Sequence, residues 1–118
     1  MKQLLIVRHA ESSFNIPGIK DFDRPLNDKG ISDAKLMGGL LIKHDFTPDI
    51  IISSAANRAI TTSKIISKEI AYPIKDIEIN VDIYHSSFEK VIDIIHNVSD
   101  QYNSLMITGH NPTFHFLS

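Results

Sequence analysis

The chain has 118 residues, enough for one domain spanning 1–118 and no more. Apolar residues make up 42% of it, and a formal net charge of −2 gives no electrostatic case for nucleic acid or an anionic membrane as partner. The absence of cysteine excludes disulfides, thiolate metal sites and cysteine nucleophiles. The first apolar run is too short for a signal peptide, and no run reaches transmembrane length, so the expectation is a cytoplasmic protein.

Leu4–Val7 reads as a short buried strand, followed by a polar loop from Asn15 to Lys29 punctuated by Pro17, Gly18 and Pro25. Asn27 or Asp28 can cap a helix running to about Lys43, with Ile31, Ala34, Met37 and Leu41 at helical spacing. Gly38-Gly39 inside that helix predicts either close packing or a kink. The β-branched run Ile50-Ile51-Ile52 suits a buried parallel strand, and Ser53 or Ser54 then opens a second helix to about Ile70. Ile77, Ile79, Val81 and Ile83 alternate with polar residues and predict an extended segment. Ser86 and Glu89 form a capping-box pattern ahead of a helix carrying Val91, Ile94, Ile95 and Val98. Ser104–Thr108 is a last short strand, and Gly109-His110-Asn111-Pro112 is the turn after it. The alternation predicts an α/β fold, a three-layer αβα arrangement with a mainly parallel central sheet.

Three predicted strands end in residues with chemistry. Arg8 and His9 follow the first, Arg58 lies one turn beyond the second, and His110 follows the last. A parallel sheet brings the carboxyl ends of its strands to one edge, where ligands bind. Two guanidinium groups with two imidazoles on one rim suit an oxyanion such as a phosphoryl group. The arginines would repel a cation, so an oxyanion is the expected tenant, and the two-step phosphoryl transfer such a site would do needs no metal or organic cofactor. His44, His85, His96 and His115 read as surface or helix-end residues.

The segment Arg8-His9-Ala10-Glu11-Ser12 resembles the signature of the histidine phosphatase superfamily, the phosphoglycerate mutase-like proteins. Ser53-Ser54 with Arg58-Ala59 and Thr62 resembles its second block, and Gly109-His110-Asn111-Pro112 the block around its second histidine. Asp23-Arg24-Pro25-Leu26-Asn27-Asp28-Lys29-Gly30 is similar to the SixA-type phosphohistidine phosphatase branch.

The resemblance implies a phosphoglycerate mutase-like fold and a metal-independent phosphatase that works through a phosphohistidine. By position, His9 matches the nucleophile, Arg8 and Arg58 the phosphate clamp, and His110 the second pocket histidine. Asn15 matches a phosphate- or substrate-binding asparagine. Arg24 is either a pocket-edge residue or the partner of Asp21 or Asp23, and Glu11 is expected to bond backbone or a nearby arginine. Asp82 is the one carboxylate placed to serve as general acid, with a solvent-facing role as its alternative.

Without a clear acid, the substrate expected is a phosphorylated protein side chain, phosphohistidine above all, whose imidazole leaves readily. A small phosphorylated metabolite turned over by a phosphatase or mutase, and an inactive module that binds a phospho-ligand, are the alternatives. Family members continue beyond the helix start at Asn111–Ser118, so the expectation is a C-terminally truncated domain, with a dimer as one way to cover the exposed face.

Overall fold

The structure is a computed structural model that describes residues 3–13, 17–84, 87–98 and 100–110. The expected asparagine at position 15, the capping Ser86 and the helix start after His110 lie outside the described residues.

Four strands, β1 (Gln3–Arg8), β2 (Ile50–Ser54), β3 (Glu78–Asn80) and β4 (Ser104–Gly109), form one sheet in the order β1-β4-β2-β3. Each neighbouring pair among them is parallel. Helices α1 (Asp28–Lys43) and α2 (Asn57–Glu69) cover one face, and α3 (Phe88–His96) covers the other. Alternation along the strands divides the core accordingly. Val7, Ile51 and Met106 pack with Leu41 of α1 and Ile66 of α2, whereas Ile52, Leu105 and Ile107 pack with Val91 and Ile95 of α3. The predicted three-layer αβα arrangement is therefore present. Among the described residues no helix is long and apolar enough to cross a membrane.

Of the two expected caps for α1 one is used, and other local expectations change. Asn27 caps α1 by accepting the Gly30 N–H at 2.8 Å. The buried stripe of α1 is Gly30, Ala34, Gly38 and Leu41, while Met37 remains 37% exposed. Helix α2 starts at Asn57 instead of Ser53 or Ser54, because Ser54 is the last residue of β2 and its hydroxyl already accepts the Ala56 N–H at 3.2 Å. Ser87, whose Oγ accepts the Lys90 N–H at 3.2 Å, caps α3.

The run Ile77–Ile83 is extended over Glu78–Asn80 and then enters a 3₁₀ turn at Val81–Ile83. The Asn80 side chain accepts the Asp82 N–H at 2.9 Å, an Asx-type bond that competes with the strand ladder. The turn breaks the period of two. Ile77 packs on the α1/α2 side, and Ile83 is buried on the α3 side.

The paired glycines of α1 have opposite surroundings. A Cβ on Gly38 would stand 2.5 Å from Cβ of Glu69 in α2, whereas one on Gly39 meets nothing within 4 Å. Close packing, not a kink, is thus the role of Gly38. In chemical denaturation, Gly39→Ala is expected to stabilise the protein by about 0.5–1 kcal/mol through helix propensity. Gly38→Ala is expected to destabilise it by about 1–3 kcal/mol through overpacking of α1 against α2.

Candidate active site

The register of β1 with β4 sets Arg8 opposite Gly109, and the His9 N–H extends the ladder by donating to the Gly109 carbonyl at 3.0 Å. This pairing brings the rings of His9 and His110 to 5.2 Å between centroids. The next strand, β2, contributes Ser54, whose Oγ lies 2.6 Å from Nε2 of buried His110. In the second turn of α2, Thr62 donates its hydroxyl to the Arg58 carbonyl at 2.7 Å and accepts the Ala10 N–H at 3.0 Å. Helix α2 thereby fixes the backbone just past His9.

That backbone sets the chemistry of His9. Nδ1 lies 2.7 Å from the Ala10 carbonyl oxygen, an atom that can only accept, so Nδ1 carries the proton. Nε2 then keeps its lone pair, and the Arg58 Nε–H donates to it at 3.3 Å. Burial lowers the His9 pKa below the ordinary 6.5. Arg58, Arg8 and Arg24 push it further down, against the Ala10 bond that raises it. His9 is therefore a neutral imidazole with a defined tautomer, whose unprotonated Nε2 accepts from Arg58.

A pocket of about 260 Å³ opens in front of that nitrogen, lined by Arg8, His9, Glu11, Ser12, Arg24, Arg58 and His110. The arginines differ in how they are held. The Arg58 side chain is 7% exposed and donates from Nη1 to the Asp21 carbonyl at 2.7 Å and from Nη2 to the Asp21 carboxylate at 3.1 Å. Arg24 donates from Nε to the same carboxylate at 3.0 Å and from Nη1 to Ser12 Oγ and the Ser13 carbonyl. Arg8 is exposed, and among the described residues its side chain has no hydrogen-bond or ion-pair partner.

The structure thus gathers four of the expected residues, Arg8, His9, Arg58 and His110, around one cavity, with Arg24 both at its edge and bonded to Asp21. Among the described residues the Glu11 carboxylate bonds neither backbone nor an arginine. Its carboxylate accepts from Asn27 Nδ2 at 3.0 Å and lies 3.5 Å from Lys29 Nζ. Asp82 is not brought to this pocket. It lines a separate cavity of about 490 Å³ beside α3 and stands 3.7 Å from Lys90. The 3₁₀ turn that points Asp82 there sends Tyr84 towards the site instead. The Tyr84 ring lies edge-on to His110 at 5.5 Å and under the Arg58 guanidinium at 5.7 Å, with its hydroxyl donating to Asp21.

Asp21 and Tyr84 are the residues that sequence reasoning did not place at the site. The one signal was the proximity of Asp21 to Arg24, three positions apart. The Tyr84 hydroxyl, followed by the charge and hydrogen bonds of Arg58, lowers the Asp21 pKa from 3.8 to about 2.

A parallel α/β sheet with a neutral histidine, a second histidine and three arginines at its carboxyl edge has the make-up of an oxyanion site. The profile of the histidine phosphatase superfamily (branch 1) matches residues 4–110, and the chain belongs to that family. It is 36% identical over 107 residues to an uncharacterised protein of Mycobacterium tuberculosis (strain ATCC 25618 / H37Rv), a match covering 91% of this chain. The chain spans 64% of that relative's length. A shorter match, 39% identical over 64 residues, links 52% of this chain to 26% of a 2,3-bisphosphoglycerate-dependent phosphoglycerate mutase of Rhodococcus opacus (strain B4).

Among solved structures, a protein assigned as the phosphohistidine phosphatase SixA of Agrobacterium tumefaciens superposes with a TM-score of 0.88 at 29% identity. That superposition covers 98% of this chain and 73% of the other. A protein histidine phosphatase SixA complexed with tungstate shares the fold at the same TM-score and coverage, with 20% identity.

The pKa directions give a signed expectation. A histidine whose folded pKa is lowered stabilises the fold fully above pH 6.5, and this contribution is lost as pH falls through the lowered value. Asp21 contributes fully above pH 3.8, and its share is lost as pH falls towards about 2. Titration of His9 by ¹⁵N NMR is expected to show a midpoint below 6.5 with the proton on Nδ1 in the neutral form. A midpoint above 6.5 would contradict the buried, arginine-flanked environment.

Proposed function

We propose that the protein is a phosphatase that works through a covalent phosphohistidine on His9, with phosphohistidine in a protein as its substrate. The observation that carries this reading is the locked tautomer of His9, with Nδ1–H tied to Ala10 and the unprotonated Nε2 accepting from Arg58, His9 and Arg58 both lining the arginine-rich pocket.

In the first step the Nε2 lone pair forms a bond to phosphorus while the bond from phosphorus to the leaving nitrogen breaks. That electron pair departs with the leaving imidazole, which takes a proton from solvent. Arg8, Arg58 and His110 hold the non-bridging oxygens and offset their charge. In the second step water attacks phosphorus, the electron pair of the N–P bond returns to Nε2, and phosphate leaves. Splitting one displacement into two is the usual advantage of a covalent nucleophile.

Metal independence is part of the proposal, supported by three guanidinium groups that would repel a divalent cation from the same pocket. The substrate class is supported by what lines the pocket. Among the described lining residues Glu11 is the one carboxylate, and Asn27 and Lys29 hold it as an acceptor. A phosphoramidate needs no carboxylic acid in the pocket to release its leaving group, whereas a sugar alkoxide does. The likeness to the Agrobacterium tumefaciens protein points the same way. The partial match to phosphoglycerate mutases favours a second reading, a small phosphorylated acid as substrate.

Single-turnover reaction with phosphoimidazole and with 3-phosphoglycerate tests both. Acid-labile, base-stable phosphate on His9 with faster turnover of phosphoimidazole is expected, and the reverse preference would favour the second reading. His9→Ala is expected to abolish labelling, and labelling that persisted would remove His9 as nucleophile. Arg58→Ala is expected to slow phosphoryl transfer by roughly 10²–10³-fold, the scale for losing one preorganised electrostatic contact. Asp82→Asn is expected to leave the rate unchanged.

A further inference from the structure

Like charges crowd the pocket. Arg24 and Arg58 both line it, and their guanidinium groups share one carboxylate, that of Asp21. Asp21 itself is not among the residues lining the pocket. It bonds both arginines and lies at the start of a 3₁₀ turn spanning Asp21–Asp23, in the loop between β1 and α1. Its Oδ1 receives Arg24, with Nε at 3.0 Å and Nη2 at 2.9 Å. Its Oδ2 receives Arg58 Nη2 and the Tyr84 hydroxyl, and its backbone carbonyl receives Arg58 Nη1.

Arg58 therefore has three of its five N–H groups committed: Nε to His9, one on Nη1 and one on Nη2 to Asp21. The two left over sit on the terminal nitrogens. A two-point hold on a planar group fixes its plane, and the plane of Arg58 decides whether Nε reaches His9.

We propose that Asp21 is the positioning residue of this pocket, whose carboxylate holds Arg24 and Arg58 side by side and, through Arg58, keeps a donor directed at Nε2 of His9. The proposal rests on the phosphoryl-site reading above and adds a residue to it. Asp21 acts through the arginines and does not itself reach the phosphoryl group. Without its charge, two adjacent guanidinium groups repel in a partly buried setting, and the orientation of Arg58 depends on one backbone carbonyl.

The test uses Asp21→Asn, which keeps the size of the side chain and leaves the backbone bond to Arg58 in place. Asp21 is 54% exposed at its side chain, so the substitution leaves the core untouched. Two readouts need no turnover: the affinity for inorganic phosphate, and the NMR signal of the Arg58 Nε–H, which the bond to His9 protects from exchange. In Asp21→Asn, phosphate affinity is expected to fall about 10-fold and phospho-His9 formation to slow about 10- to 100-fold, the cost of misplacing a catalytic contact by a fraction of an ångström to an ångström. The Arg58 Nε–H is expected to exchange rapidly. Asp21→Glu, which keeps the charge, is expected to recover most of the phosphate affinity.

Wild-type phosphate affinity and an intact Arg58 signal in Asp21→Asn, whatever the thermal midpoint, would overturn the proposal. So would a loss in Asp21→Asn that Asp21→Glu does not relieve, since that would assign the effect to side-chain shape in the turn. A wild-type protein that binds phosphate without phosphorylating His9 would remove the covalent mechanism and leave both readouts for Asp21 in force.

Discussion

The parallel pairing of β1 with β4 is the constraint on which the site depends. These strands are far apart in sequence, and their registration decides which residues leave the sheet at the same level. With Arg8 opposite Gly109, the residues immediately beyond are both histidines. Their side chains emerge on the one edge where a parallel sheet presents the ends of several strands together. Slipping the register by one residue would turn each side chain of β1 to the opposite face and separate the pair. The fully buried course of β4, with helices packed on both faces, holds the register.

From this pairing the electrostatic design follows. In the proposed mechanism the attacking histidine must be neutral, while a pocket for an oxyanion must be cationic. The two needs are compatible because the same arginines that would bind an anion also disfavour protonation of His9. Ala10 supplies the other half by occupying Nδ1. The carboxylates near the site, Asp21 and Glu11, are both bound to cations or amides and so act as braces for basic groups. The tautomer and the charge of His9 are therefore set by residues of β1, α2 and the loops that follow β1.

Much of this was legible in the sequence, because the strands are short apolar runs and the polar residues of the pocket stand at or just past their ends. Arg8, His9 and His110 were placed by that adjacency, and Arg58 by helical spacing from the end of β2. What was not legible depends on turns. Asp21 reaches Arg58 across 37 positions and Tyr84 across 63, and no periodicity links them. Asp82 was misplaced for the same reason. A continuing strand would have kept residues 77, 79, 81 and 83 on one face. The side chain of Asn80 instead starts a turn that sends Asp82 to Lys90 and Tyr84 to the arginines. The glycine pair in α1 was ambiguous because only the neighbouring helix decides which of the two is crowded.

The contrast between Arg58, held on three sides, and Arg8, exposed and unbonded among the described residues, divides the work of binding in time. Arg58 has already given up its rotamer freedom on folding, so an arriving anion meets it without further ordering. Arg8 gives up its own only when an anion is present, a cost of about 0.5–1.5 kcal/mol for one long side chain. In the proposed cycle that cost recurs at each turnover and works against retention of the final phosphate. A half-assembled clamp of this kind favours release over tight storage. On the proposed reading, it suits a site that must clear its product before the next phosphoryl group arrives.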